Sequence, residues 1–371
     1  MPTTRKEKIL SVQALRGVAS VMVLIGHALA EAEHYFQTDL FLKELPWTRG
    51  VDLFFVISGF IIVVSCFDRG ASCRPGEFLK RRFLRVVPLY WFYTSLMVAA
   101  LVVIPSGVKD TQFDIAQVFA SYLFIPYERY DGRIAPVLSL GWTLNYEIYF
   151  YAVFATLVAF GLHRAVFFLA LLFVTSSLLG SLVRFDAVPL RFWASSLTLE
   201  FVLGALVGYT FLRFGRLEKF AGFGASAVGF IVGFGLLVLF DFLSTEGLPL
   251  AEMPRFVLAG VPSAIVVMSA AMLLPGRLDE QVPGFLVALG NSSYSLYLCH
   301  RFVLRPLTIA WMAFLPSDAV YAPIYVVVAC LCSLAAAHLA FLLIERPFLR
   351  LASWSRKETV RNAGQSVPPR S

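Results

Sequence analysis

Apolar runs of about 20 residues, long enough to cross a bilayer as a helix, recur along nearly the whole 371-residue chain. They predict about ten spans, at 11–30, 50–67, 86–104, 141–161, 165–183, 192–212, 221–241, 255–274, 290–313 and 320–344. The stretch Ile115–Pro126 is too short to span and is expected at the interface. The expected fold is all-α, a polytopic transmembrane helical bundle of about ten helices within a single membrane domain, residues 1–352. A polar, proline-containing tail, 353–371, is expected to be disordered. No internal repeat is evident.

Composition narrows the class. The chain is 58% hydrophobic and 15% charged, against about 25% charged in soluble domains. The net charge of +7 reads as a topology signal rather than a nucleic-acid footprint. With a cytoplasmic N-terminus, the inside segments collect most of the 31 basic residues, including Arg5, Lys6, Lys8, the Arg69–Arg85 stretch and the tail. Both termini are therefore expected in the cytoplasm and the protein in the inner membrane as a multi-pass chain. Ser11–Ala30 resembles a signal peptide in length, but Arg16 interrupts it and later spans follow, so it reads as a retained first helix. The five cysteines, Cys66, Cys73, Cys299, Cys330 and Cys332, show no zinc spacing. No disulfide framework, metal or permanently bound cofactor is expected.

Candidate chemistry lies where polar groups interrupt these runs. Arg16 and His27 share the first span, about 16 Å apart along a helix axis. An arginine inside a spanning helix costs roughly 2.5–3.5 kcal/mol on insertion scales, so it usually faces a polar interior. Asp52, at the start of the second span, is expected at the depth of His27 and could raise its basicity. The bland alternative is an interfacial His27 and a solvated Asp52. Ser58-Gly59 suits close backbone approach, and Ser58 lacks a base within its own segment.

The run Lys80-Arg81-Arg82-Phe83-Leu84-Arg85 reads as a cytoplasmic loop, either a topology signal or a phosphate clamp, since guanidinium groups match phosphate oxygens. Glu147, within Gly141-Trp142-Thr143-Leu144-Asn145-Tyr146-Glu147, needs a partner or a cavity. It is either a structural partner for Arg16, Arg301 or Arg305, or part of a site. Trp142 and Tyr146 suit an interfacial belt or a sugar-stacking platform, and Asn145 offers hydrogen bonds to hydroxyls. His300 and Arg301 fall near mid-span in the ninth helix, and Glu345-Arg346-Pro347 reads as a structural ion pair closing the tenth.

Together these motifs resemble the acyltransferase-3 family of polytopic membrane acyltransferases. The resemblance covers roughly residues 9–350. It rests on Leu15-Arg16-Gly17 with His27, Gly50-Val51-Asp52-Leu53-Phe54-Phe55 through Ser58-Gly59-Phe60, and Arg81-Arg82…Arg85…Pro88-Leu89-Tyr90-Trp91. Gly141-Trp142-Thr143-Leu144…Glu147, Ser293-Tyr294-Ser295-Leu296-Tyr297…His300 and Glu345-Arg346-Pro347 complete it. Within the family the chain is most similar to bacterial exopolysaccharide O-acetyltransferases. The resemblance implies acyl transfer from cytoplasmic acyl-CoA, usually acetyl-CoA, to a carbohydrate hydroxyl, with an essential histidine at the position of His27. It implies as partners the membrane lipids, acyl-CoA, a glycan acceptor that can be lipid-linked, and polysaccharide-assembly machinery, and no nucleic acid.

The expected roles follow. His27, Asp52 and Glu147 form the catalytic set, with His27 as base or transient acyl carrier. Arg16, Arg81, Arg82 and Arg85 bind the acetyl-CoA donor, and Trp142, Asn145, Tyr146 and His300 contact the acceptor. On physical grounds alone, a transporter exporting a glycan or lipid suits the same spans and buried charges.

Overall fold

Helices occupy every predicted apolar segment. The computed structural model describes residues 9–350 except 41, 43–44, 68–72, 105–107, 109–111, 215–222, 246–251 and 274–280. The predicted tail lies outside the described residues. Twelve helices are named in chain order: α1 (Leu10–Phe36), α2 (Gly50–Phe67), α3 (Pro75–Val103), α4 (Ile115–Tyr122), α5 (Trp142–Val158), α6 (Leu162–Leu182), α7 (Val188–Trp193), α8 (Thr198–Phe214), α9 (Phe223–Thr245), α10 (Val261–Leu273), α11 (Gly284–Phe314) and α12 (Ala322–Ala340). Single π-helical turns, Phe256–Gly260 and Phe341–Glu345, precede α10 and follow α12. Among the described residues the only β pairing is one isolated bridge, Glu128 with Ile134.

Six helices among the described residues are long and apolar enough to cross a membrane, at Leu10–Phe36, Trp47–Phe67, Pro75–Val103, Leu162–Leu182, Gly224–Ser244 and Ala319–Arg350. This is a multi-pass inner-membrane helical protein. α6, α9 and α12 turn bare leucine, isoleucine and valine outward, including Leu171, Ile231 and Leu331, as lipid-facing helices do because hydrocarbon solvates them.

Two helix crossings organise the interior, and both depend on glycine. α1 packs along α11 at Gly17 and Gly290, where a Cβ on Gly290 would lie 1.9 Å from the Gln13 carbonyl oxygen. α2 packs along α8 at Gly59 and Gly204, where a Cβ on Gly204 would lie 2.0 Å from the Val56 carbonyl oxygen. Small residues let membrane helices approach to backbone contact, which dispersion then rewards. Contacts advance in the same direction on both members of each pair, Gly17–Gly290 then His27–His300, and Val56–Gly204 then Phe60–Gly208. Both pairs are therefore parallel.

Three expectations change. The basic run Lys80–Arg85 belongs to α3, not to a loop: Pro75 starts the helix at its first position, where its missing N–H costs nothing. The predicted span 192–212 is broken, because α7 ends at Trp193 and α8 begins at Thr198. Cys66 and Cys73 form a disulfide, with Cα atoms 5.4 Å apart, tying the end of α2 to the start of α3. The cysteine count hid this pair, since spacing alone carries no fold geometry.

Candidate active site

Five helices converge on a cavity whose walls carry charged and hydroxyl groups among apolar side chains. α1 contributes Arg16, α2 Ser58 and α3 Arg82 and Arg85; α5 adds Thr143, Glu147 and Tyr151, and α11 adds Ser293, Tyr294 and Tyr297. The spacing explains the grouping. Residues three and four apart share a helix face, so Thr143, Glu147 and Tyr151 line one wall and Arg82 and Arg85 another. Arg81 is rotated away by one residue, and its guanidinium donates to Glu77 at 3.3 Å on the same helix. Of the four arginines expected at the donor site, three reach the cavity and Arg81 does not.

The carboxylates in this region are hydrogen-bonded. Glu147 Oε1 accepts from Ser58 Oγ at 3.1 Å and from the Tyr151 hydroxyl. Arg82 donates to Ser65 Oγ at 3.2 Å and lies over the rings of Tyr151 and Phe78 at 5.6 and 5.8 Å. Glu345, in the π-helical turn after α12, is buried and accepts from Ser295 Oγ at 2.6 Å. Arg16 lies within electrostatic reach of Arg85, Glu147 and Glu345. Three guanidinium groups thus meet two carboxylates, leaving a cationic surplus suited to an anionic group. Glu345 was expected as an interfacial ion-pair partner; the turn carries it inward.

His27 lies further along α1. Its Nδ1 is 2.9 Å from the Val23 carbonyl oxygen and 3.3 Å from His300 Nε2, with the two rings 5.0 Å apart. His300 is buried, and its Nδ1 is 3.0 Å from the Leu296 carbonyl oxygen. The expected pairing of His27 with Asp52 or Glu147 is replaced by this histidine pair. Glu147 is engaged in the cavity, and Asp52, fully buried, is held by Arg255 through two hydrogen bonds beside Glu200. Asp52 also lies deeper in the bundle than His27, since Trp47 stands against Gly26 and Gly50 against Ala19, and its side chain belongs to the face shared with α8.

A second, mainly apolar cavity lies among α1, α3, α11 and the loop before α5. Glu31, Arg301 and Arg305 supply its charge, and Met97, Ile309 and Phe314 are among its apolar walls. Arg305 donates to the Tyr35 hydroxyl and lies over that ring. Between the two cavities, the Tyr297 hydroxyl bonds the Leu140 carbonyl at 3.1 Å and meets Thr143 Oγ1 at 2.9 Å. Along both α1 and α11 the histidine falls between residues lining the first cavity and residues lining the second.

The expected sugar platform is occupied by protein. Tyr146 is buried and stacks on Phe192 with ring centroids 4.0 Å apart, and Trp142 meets Phe55 and Tyr146 edge-on. Asn145 is 1% exposed. None of the three lines either cavity. An aromatic-rich helix start looks the same in sequence whether its rings face a sugar or a neighbouring helix.

Residues 9–338 match the acyltransferase domain family. The chain belongs to the acyltransferase-3 family. This acyltransferase is 31% identical over 346 residues to the exopolysaccharide production protein ExoZ of Rhizobium meliloti, covering 93% of this chain and 100% of that protein. It is 25% identical over 278 residues to the O-acetyltransferase OatA of Staphylococcus aureus, covering 68% of this chain and 45% of OatA. It is also 34% identical over 101 residues to protein 2 of the picA locus of Rhizobium radiobacter, covering 27% of this chain and 49% of that protein. No solved structure matches it. The acyltransferase is thus a membrane protein related to an exopolysaccharide production protein and to O-acetyltransferases. Sequence reasoning missed Tyr151, Arg255 and Glu200, each polar in an apolar span but outside any recognisable motif.

Proposed function

We propose that this acyltransferase moves an acetyl group from acetyl-CoA to a hydroxyl of an exopolysaccharide or cell-surface glycan, or of its lipid-linked precursor. The observation that carries the reading is the cationic cavity of Arg16, Arg82 and Arg85, with the His27–His300 pair further along α1 and α11, two of the helices that line it. In this reading the chain makes ten crossings with both termini in the cytoplasm. The parallel packing of α1 with α11 and of α2 with α8 supports that order, in which they are the first and ninth and the second and sixth crossings and so run the same way through the membrane.

The donor enters the first cavity from the cytoplasm. Arg82 and Arg85 hold its phosphates, with bidentate geometry available to each guanidinium, while Arg81 stays with Glu77. The pantetheine arm passes Arg16 toward His27. The acceptor approaches through the second cavity, where Glu31, Arg301 and Arg305 meet its polar end. His27 takes the proton of the acceptor hydroxyl as that oxygen attacks the acyl carbonyl carbon. The carbon–sulfur bond breaks, and the proton passes to the departing CoA thiolate. General-base assistance of this kind contributes about 10²–10⁴-fold. A covalent acyl-His27 intermediate satisfies the same geometry.

Purified protein supplied with radiolabelled acetyl-CoA and an oligosaccharide tests the reading. Label should move to the carbohydrate, and His27→Ala should abolish transfer at normal membrane abundance. Movement of the acceptor across the bilayer without acetylation would instead establish a transporter.

A further inference from the structure

The histidine pair fixes which nitrogen of His27 is reactive. A backbone carbonyl only accepts hydrogen bonds, so the Leu296 oxygen at 3.0 Å requires a proton on His300 Nδ1. A neutral imidazole carries a single N–H, which leaves His300 Nε2 with a lone pair. That lone pair faces His27 Nδ1 at 3.3 Å, and the Val23 oxygen faces the same atom at 2.9 Å. Two acceptors converging on one nitrogen require His27 Nδ1 to carry the proton. His27 Nε2 is then the unprotonated nitrogen, available to a hydroxyl.

We infer that His300 is a positioning residue: its Nε2 accepts from His27 Nδ1–H, holds His27 in the Nδ1–H tautomer and stabilises the imidazolium formed during transfer. This rests on the reading of His27 as the acyl-transfer histidine. When His27 gains a proton at Nε2, both its nitrogens are donors, and His300 presents a neutral acceptor buried beside it. A carboxylate commonly fills this place beside a catalytic histidine, but Asp52 and Glu147 are both engaged elsewhere. The packing keeps the pair aligned. Gly17 and Gly290 bring the two helices to backbone contact, and each histidine follows its glycine by the same number of residues. Both imidazoles are also tied to the carbonyl four residues back on their own helix. His300 therefore has no ring nitrogen left for the acceptor, contrary to its expected substrate-contacting role.

The test compares His300→Leu with His300→Gln, whose amide oxygen can reach the place of Nε2. His300→Leu should lower kcat at least ~10-fold with the KM for acetyl-CoA and acceptor unchanged, and His300→Gln should recover most of the loss. Wild-type kcat in His300→Leu, a change confined to KM, or equal loss in both folded variants would overturn the inference. His27→Ala and wild type run alongside separate this from the parent reading: if wild type transfers nothing, that reading fails. The inference is then judged by ¹⁵N NMR of histidine-labelled wild-type protein. A protonated Nδ1 on His27 supports it and a protonated Nε2 overturns it, whether or not either variant folds.

Discussion

Arg255 grips Asp52 through two hydrogen bonds of 2.7 and 2.9 Å, joining the start of α2 to the turn that leads into α10. Asp52 is fully buried while Arg255 remains partly exposed. Removing one member of a buried pair strands the other charge at a cost of about 3–5 kcal/mol, whereas replacing both is far milder. Arg255→Leu should therefore lower the melting temperature in detergent and the membrane abundance, and Asp52→Leu combined with it should recover part of both. Asp52→Asn with normal stability but no acyl transfer would return Asp52 to the catalytic set.

The neighbouring arginines on α3 should separate in kinetics. Arg82→Ala and Arg85→Ala each remove a charge-assisted contact of about 1.5–3 kcal/mol, which corresponds to roughly a 10–100-fold rise in the KM for acetyl-CoA. Arg81→Ala, which loses only the Glu77 pair, should leave that KM unchanged. Initial rates at varied acetyl-CoA concentration read the difference directly.

At the α2–α8 crossing a single methyl group should be enough to disrupt packing. The Cβ of Gly204→Ala would meet the Val56 carbonyl at 2.0 Å, and overpacking of this kind costs about 1–3 kcal/mol. Gly224→Ala, with nothing within 4 Å, is the control. Melting curves should show a drop for the first and none for the second.

The loop before α5 carries its own acid sensitivity. Asp114 caps α4 through the Ala116 and Gln117 amides and accepts from the Tyr127 hydroxyl at 2.7 Å, a bond that holds its carboxyl below the ordinary carboxylate range. A carboxyl lowered by folding stabilises at pH values above its unfolded pKa and loses that contribution as pH falls through the folded one. Hydrogen exchange of the α4 amides should therefore quicken as pH drops below that range, after correction for intrinsic rates. Asp114→Ala should produce the same loosening at neutral pH, about 1 kcal/mol for a lost cap, and flat protection in that variant would refute the capping role.

What the sequence made legible follows from the kind of signal each feature leaves. Arginine or glutamate in an apolar run needs a polar neighbourhood, so Arg16 and Glu147 could be foreseen facing a polar interior, whereas Arg82 and Arg85 showed only as part of a basic run suited to phosphate. Arg81 could not be separated from Arg82, because a basic run shows no face until it is known to be helical. Hydropathy located the helices but not the break between α7 and α8, where Ser195-Ser196 is too short to stand out between the apolar residues on either side. The partner of His27 was hidden for a different reason. Counting residues placed Asp52 level with His27 although the α1–α2 contacts set it deeper, and direction around the helix axis depends on which neighbour packs there, which for α1 is α11.

His27 and His300 are 273 residues apart in the chain, and that separation sets an order of assembly. At a synthesis rate of about 5–20 residues per second, the ribosome needs roughly 14–55 s after making the first histidine to make the second. Throughout that interval α1 sits in the bilayer with Arg16 and His27 lacking the helix that α11 will supply. A growing chain thus has no assembled histidine pair until most of its helices are in place.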